Sequence, residues 1–312
     1  MKPGSTDVVL ASGPPFAGLS LADRLSVQLR CPFVMDYRDL WTSNPYCDWL
    51  ATKRNLAEEA RLLAKCAAAV VVSPQSAEVL GRRMRPHRLH VVTNGYDPER
   101  LSGIVPRSFS DRAMVYAGCL LPPLRTLDPV LRAMALVAQR AGKAQIPMKL
   151  HFFGDGGRTV AERASELGLE SRVADHGRVS RRSALEALAG AHLVVVVESV
   201  LDNVNAAGRG VIPGKVFEAL GLGKRILVIA PNGADVEEIV GESGRRFSGR
   251  QTREIADHLV ESTAPERPCA VTPPTRYSWE QLAVAYDGIL QDAINSRLPR
   301  KAGLPRPSGK CV

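Results

Sequence analysis

The sequence predicts an α/β protein of two doubly wound parallel sheets, the first of them incomplete, and three observations carry that prediction. Short β-branched runs alternate with helical stretches nearly throughout. The runs are apolar without polar alternation, as in strands covered on both faces. The segment Pro98 to Arg112, rich in Pro, Ser and charge, breaks the alternation and is the expected boundary between domains.

In chain order, strands are expected near Val8 to Ala11, Phe33 to Asp36, Ala69 to Ser73, His90 to Thr93, Met114 to Ala117, Lys149 to Phe153, Val173 to His176, Leu193 to Val197 and Ile226 to Ile229. Helical spacing falls between them, near Leu19 to Leu29, Asp48 to Ala67, Gln75 to Arg83, Leu127 to Ala141, Thr159 to Leu167, Arg181 to Leu188, Pro213 to Leu222, Ala234 to Val240 and Arg253 to Glu261. A last helix, Trp279 to Ile294, closes the fold. The expected partition is residues 1–105 as a truncated first domain, 106–295 as a second domain whose final helix packs back toward the first, and 296–312 as a disordered tail.

The chain has 312 residues, is 45% hydrophobic and 23% charged, and so is globular rather than disordered or collagenous. Its net charge of +9 favours anionic partners. Five of those charges, Arg297, Arg300, Lys301, Arg306 and Lys310, lie in the tail without an acid, which weakens a nucleic-acid reading. The six cysteines, at 31, 47, 66, 119, 269 and 311, form neither a metal-ligand pattern nor a paired framework, so a reduced, cytoplasmic setting is expected. Apolar runs such as Leu193 to Val197 are too short to cross a bilayer, which leaves only peripheral membrane contact as the expectation.

In doubly wound sheets, ligands bind at the carboxyl ends of strands, where helix N-termini point inward. Three places there could hold a nucleotide. Met114 to Cys119 runs a strand into Gly118, with Arg125 just before the next helix; Gly admits a phosphate and Arg125 adds charge, although a strand ending in Gly is also an ordinary tight turn. Val211 to Gly223 sets Pro213 at a helix start, with Lys215 and Glu218 a turn apart, offering a cation for phosphate and a carboxylate for ribose hydroxyls. The ordinary alternative is a solvated intrahelical Lys215–Glu218 pair. The turn Phe153 to Arg158 opens a further helix and is equally a sharp connection.

Taken in order, Asp36-Tyr-Arg-Asp-Leu-Trp-Thr42, Thr93-Asn-Gly-Tyr-Asp97, Tyr116-Ala-Gly118, Phe153-Gly-Asp155, Pro213-Gly-Lys-Val-Phe-Glu-Ala-Leu220 and Tyr277-Ser-Trp-Glu280 resemble the retaining glycosyltransferases of the GT-B fold, and are most similar to the GT4 (group 1) family. The resemblance implies two Rossmann-like domains, a nucleotide-sugar donor in the second, and a glycan or lipid-linked acceptor approached from the first. It implies transfer of a hexose-type sugar with retention. Carried over, Glu218 matches the ribose acid; Lys215, Arg125 and Gly118 match the diphosphate-binding positions, with Arg125 and Lys215 as the catalytic cations; Asn94-Gly95 matches the loop toward the interdomain hinge; and Arg38 with Asp39 matches a cleft-side signature. No cofactor and no metal are expected, because charge on the departing diphosphate would be met by cations and a helix N-terminus, and no Asp-x-Asp occurs.

The chain departs from the family at three places. Many members carry an acid against the sugar eight residues before the ribose acid, where this chain has Gly210, with Arg209 beside it as a substitute contact. Pro14-Pro15 is followed by Phe16 and Ala17 where related chains often have His. Several opening strands and helices of the usual first domain are missing. The alternative reading is therefore a noncatalytic remnant or binding subunit that keeps the nucleotide-sugar site. His151, His176 and His192 are expected to be structural. His87 and His90, among Arg82, Arg83, Arg85 and Arg88, are read as a solvated helix end, or as a patch for anionic lipid headgroups. Trp41 and Trp49 are expected to pack across the first domain's cleft loop, and Trp279 to anchor the final helix.

Overall fold

The computed structural model describes residues 6–141, 148–262 and 271–296; Cys269, Cys311 and the basic tail beyond Ser296 lie outside them. Four parallel strands, β1 (Val9–Gly13), β2 (Phe33–Tyr37), β3 (Ala68–Val71) and β4 (Leu89–Val91), form one sheet in the order β1-β2-β3-β4. Helices α1 (Ala17–Leu29), α2 (Lys53–Lys65) and α3 (Pro74–Gly81) connect them. Strand β2 is apolar on both sides except at Asp36. Phe33, Met35 and Tyr37 enter a core with Leu19, Leu62 and Leu63, and Val34 turns to the opposite core.

The second sheet holds β5 (Ala113–Ala117), β6 (Lys149–Phe153), β7 (Val173–Asp175), β8 (Leu193–Val197), β9 (Ile226–Ile229) and β10 (Gly244–Phe247). Their order, β10-β9-β8-β5-β6-β7 with every pair parallel, is the doubly wound arrangement, and its topological switch point lies between β5 and β8. A short helix, α4 (Pro98–Ser102), precedes this sheet. Its faces are covered by α5 (Asp128–Ala141), α6 (Gly157–Glu166), α7 (Arg181–Gly190), α8 (Ala206–Arg209), α9 (Gly214–Gly221), α10 (Val236–Val240) and α11 (Thr252–Glu261). Phe217 and Val216 of α9 sit in one core with Val194, Val196 and Val228, while Leu131 and Met134 of α5 fill the other with Val195, Leu227 and Leu259.

The final helix, α12 (Trp279–Asn295), crosses back: its Leu282, Ile289 and Ala293 bury against Val34, Ala68 and Val70 of the first sheet. Its entry is fixed by backbone bonds from Tyr96 N to Tyr277 O at 3.0 Å and from Trp279 N to Tyr96 O at 2.9 Å. A methyl group on Gly95 would overlap Tyr277 O, so glycine is required there by contact.

Three elements differ from the sequence expectation for local reasons. The long helix expected over Asp48 to Ala67 divides into a 3-10 turn, Asp48–Leu50, and α2, because Thr52 is extended and its hydroxyl accepts from Asn55 N at 3.1 Å as an N-cap. Strand β10 has the sequence Gly-Arg-Arg-Phe at a sheet edge and lacks the apolar run that marks the interior strands. Helix α4 begins at Pro98, capped by Asp97, inside the segment read as a linker.

Candidate functional site

The carboxyl ends of β5 and β6 and the N-terminus of α9 face one cavity of about 1000 Å³. Gly118, Asp155, Lys215 and Glu218 line it, together with Asn94, Arg181 and Trp279. Gly118 has φ 155°, and a methyl group there would overlap the Lys215 ammonium. A methyl on Gly154, φ 149°, would overlap the carbonyl of Gly118. These two glycines let the ends of adjacent strands close on one another and admit Lys215 to the strand end. Lys215 Nζ lies 5.6 Å from the centre of the Tyr116 ring.

Lys215 and Glu218 do not pair with each other. Glu218 Oε1 accepts from Arg181 Nη2 at 2.7 Å, on a side chain that is 65% exposed. Burial, and then the charge of Arg125, pull the Lys215 ammonium below its ordinary range. Arg125 itself does not line the cavity wall. It stands in a tight loop, where Arg125 N bonds Leu121 O at 2.8 Å and Leu121 N bonds Arg125 O at 3.0 Å, and its Nε is buried with no partner among the described residues. Two cations thus stand near each other without a carboxylate bonded between them, an arrangement that an anion relieves.

The Gly210 position is an interdomain contact, not a loose substitute for an acid. Gly210 O accepts from Ser73 Oγ at 2.7 Å, and a methyl group on Gly210 would stand 2.8 Å from Ser73 Oγ, 2.9 Å from Ser76 Oγ and 3.0 Å from Ser76 N. Beside it Gln75 N donates to Asp235 Oδ2 at 2.8 Å. Arg209 turns its Nη1 to Val204 O at 3.2 Å.

On the first domain, Arg38 donates to Asp36 Oδ1, Asn94 Oδ1, the Thr93 and Val92 carbonyls and the Tyr286 hydroxyl, which itself donates to Asp36 Oδ1 at 2.7 Å. Ser12 Oγ completes the site on Asp36 Oδ2 at 2.7 Å. Arg38 therefore ties β2, the loop after β4 and α12 together. Asp39 lines a second cavity of about 1140 Å³ with Phe16, Trp41 and Trp49. Trp41 is buried and stacks on Phe16 at 5.4 Å, but Trp49 is 75% exposed, against the expectation that both pack. Trp279 is half exposed on the first cavity's wall rather than only an anchor.

Of the histidines, His151 is satisfied by His176 and Asp111, each at 2.9 Å, whereas His192 Nδ1 is buried without a partner among the described residues. The basic run after α3 is partly neutralised. Arg83 turns in to Glu59 Oε2 at 2.8 Å and Arg82 pairs with Glu78 at 2.9 Å. Among the described residues no helix is long and apolar enough to cross a membrane.

Sequence reasoning did not single out Glu198, Tyr46 or Arg181. Glu198 directly follows β8 beside the switch point and has a signal in sequence, a carboxyl directly after five apolar residues. Tyr46 and Arg181 have none, since each is brought in from a distant loop or helix.

Comparison with known proteins agrees with this geometry. Residues 2–100 match the family described as Glycosyltransferase Family 4, and residues 111–263 match Glycosyl transferases group 1. No curated protein sequence gives a significant match. Among solved structures, HepE from Anabaena, in complex with UDP and glucose, superposes with TM-score 0.61 at 17% identity, over 92% of this chain and 77% of that one. Sucrose-phosphate synthase from Thermosynechococcus elongatus gives 0.60 at 16%, over 93% and 74%. TarM gives 0.61 at 13% over 91% of this chain, which spans 55% of TarM's length. At such identities the superpositions establish the GT-B fold, and with the two matched regions they place the chain in the GT4 (group 1) glycosyltransferase family.

Proposed function

We propose that the chain transfers a hexose-type sugar, with retention and without a metal, from a nucleoside diphosphate sugar to a glycan or lipid-linked acceptor. The observation that carries this reading is the juxtaposition of Gly118, Lys215 and Glu218 around one cavity at the β5 strand end. Lys215 and the amides opening α9 meet the diphosphate. Arg125 adds charge from behind Lys215. Glu218 exchanges its exposed Arg181 partner for the ribose hydroxyls. As the glycosidic bond to the diphosphate breaks, one more negative charge develops on a leaving group that already carries about two, and fixed cations stabilise the departing diphosphate more than the bound donor. Lys215 suits this role because its ammonium is depressed by burial and by Arg125, so an anion improves its environment in proportion. HepE was solved with UDP and glucose, which supports an activated-sugar donor for this site as well.

Calorimetric titration with UDP, GDP, ADP and dTDP tests the site. At least one should bind, and Lys215→Met and Glu218→Ala should each weaken it about tenfold or more, as loss of a charged hydrogen bond implies. Unchanged binding in Glu218→Ala overturns the assignment. The noncatalytic reading, which Gly210 favours, is separated by donor turnover: it requires nucleotide affinity with no hydrolysis or transfer over a range of acceptors.

A further inference from the structure

The end of β8 carries a group that the donor reading leaves unused. Glu198 follows Leu193–Val197 and is 1% exposed. A carboxylate taken out of water is costly unless its lone pairs are met. Here Oε1 accepts the hydroxyl of Tyr46 at 2.9 Å, while Oε2 is buried with no partner among the described residues. Tyr46 belongs to the loop after β2, so this bond joins the two domains. The charge of Arg125 favours ionised Glu198 and at the same time disfavours the charged Lys215. One guanidinium therefore acts on a buried acid on one side and on the proposed diphosphate cation on the other.

We propose that Glu198 is a positioning residue that couples the seating of the first domain, through Tyr46, to occupancy of the diphosphate site, through Arg125. The proposal rests on the reading of Lys215 and Arg125 as the diphosphate cations. With the site empty, Arg125 supports the Glu198 carboxylate. A bound diphosphate screens that guanidinium, the carboxylate loses its support, and it takes up one proton from solvent to become a neutral carboxyl; Arg125 stays protonated. Neutral Glu198 still accepts the Tyr46 hydroxyl through its carbonyl oxygen, but without the charge that strengthens that bond, so the contact between domains loosens as donor binds. Burial raises the Glu198 carboxyl to about 7, against the lowering by Tyr46 and Arg125, which sets the proton exchange near neutrality. The other titratable group on that side is Asp39, whose charge faces Tyr46.

The test is calorimetric titration of UDP, GDP, ADP and dTDP into the full chain at pH 7, in buffers of different ionisation enthalpy. Such a series reads protons taken up per nucleotide bound. Wild type should take up more than Glu198→Gln, with the difference approaching about half a proton at pH 7 and vanishing by pH 9. Tyr46→Phe removes a donor that favours the ionised form, so its uptake should peak at higher pH than wild type. A carboxyl that served only to fill space would move neither quantity. Nucleotide binding with the same proton uptake in wild type and Glu198→Gln overturns the proposal and leaves the donor site standing. Failure of wild type to bind any of the four nucleotides overturns the donor reading itself, and this proposal with it.

Discussion

Replacing Gly210 by alanine isolates one contact between the domains. Gly210 has φ −81° and ψ −4°, an ordinary right-handed conformation, so alanine meets no backbone strain and should gain up to about 1 kcal/mol from reduced chain entropy. Against that gain, the new methyl stands 2.8 Å from Ser73 Oγ, 2.9 Å from Ser76 Oγ and 3.0 Å from Ser76 N. Two of these atoms are hydroxyls that can rotate, but the third is backbone at the mouth of α3, and overpacking of this kind costs about 1–3 kcal/mol. If α3 retreats to make room, the buried Ser73–Gly210 bond at 2.7 Å goes with it, at about 1 kcal/mol more. The net penalty is about 1–3 kcal/mol, and it falls on the seating of one domain against the other. Gly210→Ala should therefore enlarge the radius of gyration by small-angle X-ray scattering and lower the thermal midpoint, and Gly210→Glu should do both more strongly. Adding Ser76→Ala to Gly210→Ala should recover part of the loss, because it removes the contact at 2.9 Å and leaves those to Ser73 Oγ and Ser76 N. Unchanged scattering and unchanged midpoint in both Gly210 variants would refute the reasoning.

Two further outcomes are expected. Arg38→Met strips the cation from Asp36, which is buried with Tyr286 and Ser12 as its remaining partners, and should cost about 3–5 kcal/mol in chemical denaturation, against about 1–2 for Tyr286→Phe; equal losses would contradict a charge-centred clamp. Glu198 has a folded value raised from 4.5 to about 7, so ionising it costs stability: wild type loses this contribution as pH rises from about 4.5 through 7, and Glu198→Gln does not, so stability measured from pH 4 to 9 should favour the variant by about 3 kcal/mol above pH 8 and not below pH 5.

Much of the fold was legible because parallel strands buried on both faces are apolar throughout, and β3, β5, β8 and β9 stand out for that reason alone. Strand β10 did not, since an edge position tolerates Arg245 and Arg246 where an interior strand would not. That Gly118 and Lys215 would meet at one cavity was legible for a related reason: strand ends and helix starts face the crevice of a doubly wound sheet, so both residues are marked by position as well as by type. Arg125 lies in the loop after β5 but not on the cavity wall, and nothing local distinguishes a guanidinium on that wall from one standing behind it. The partner of Glu218 was hidden in the same way, because i,i+3 spacing offers only Lys215 along the helix, the ordinary alternative, while Arg181 of α7 reaches the carboxylate through space.

What no local pattern could display is the seam. Ser73 with Gly210, Gln75 with Asp235 and Tyr46 with Glu198 are each separated by more than a hundred residues, and each joins side chains or backbone atoms unremarkable in their own surroundings. Together they span different elements of both sheets: α3 and the loop after β2 on one side, and β8, α8 and the start of α10 on the other. A single bond permits rotation about itself, but three bonds on separate elements fix an orientation, so the relative seating of the domains is specified by contacts that cost little individually. This changes the meaning of Gly210. The Cβ of an acid there would first have to displace Ser73 and Ser76. The chain has a close interdomain approach at this position instead, and the buried carboxyl nearest the switch point is the one on β8, held from across the cleft by Tyr46.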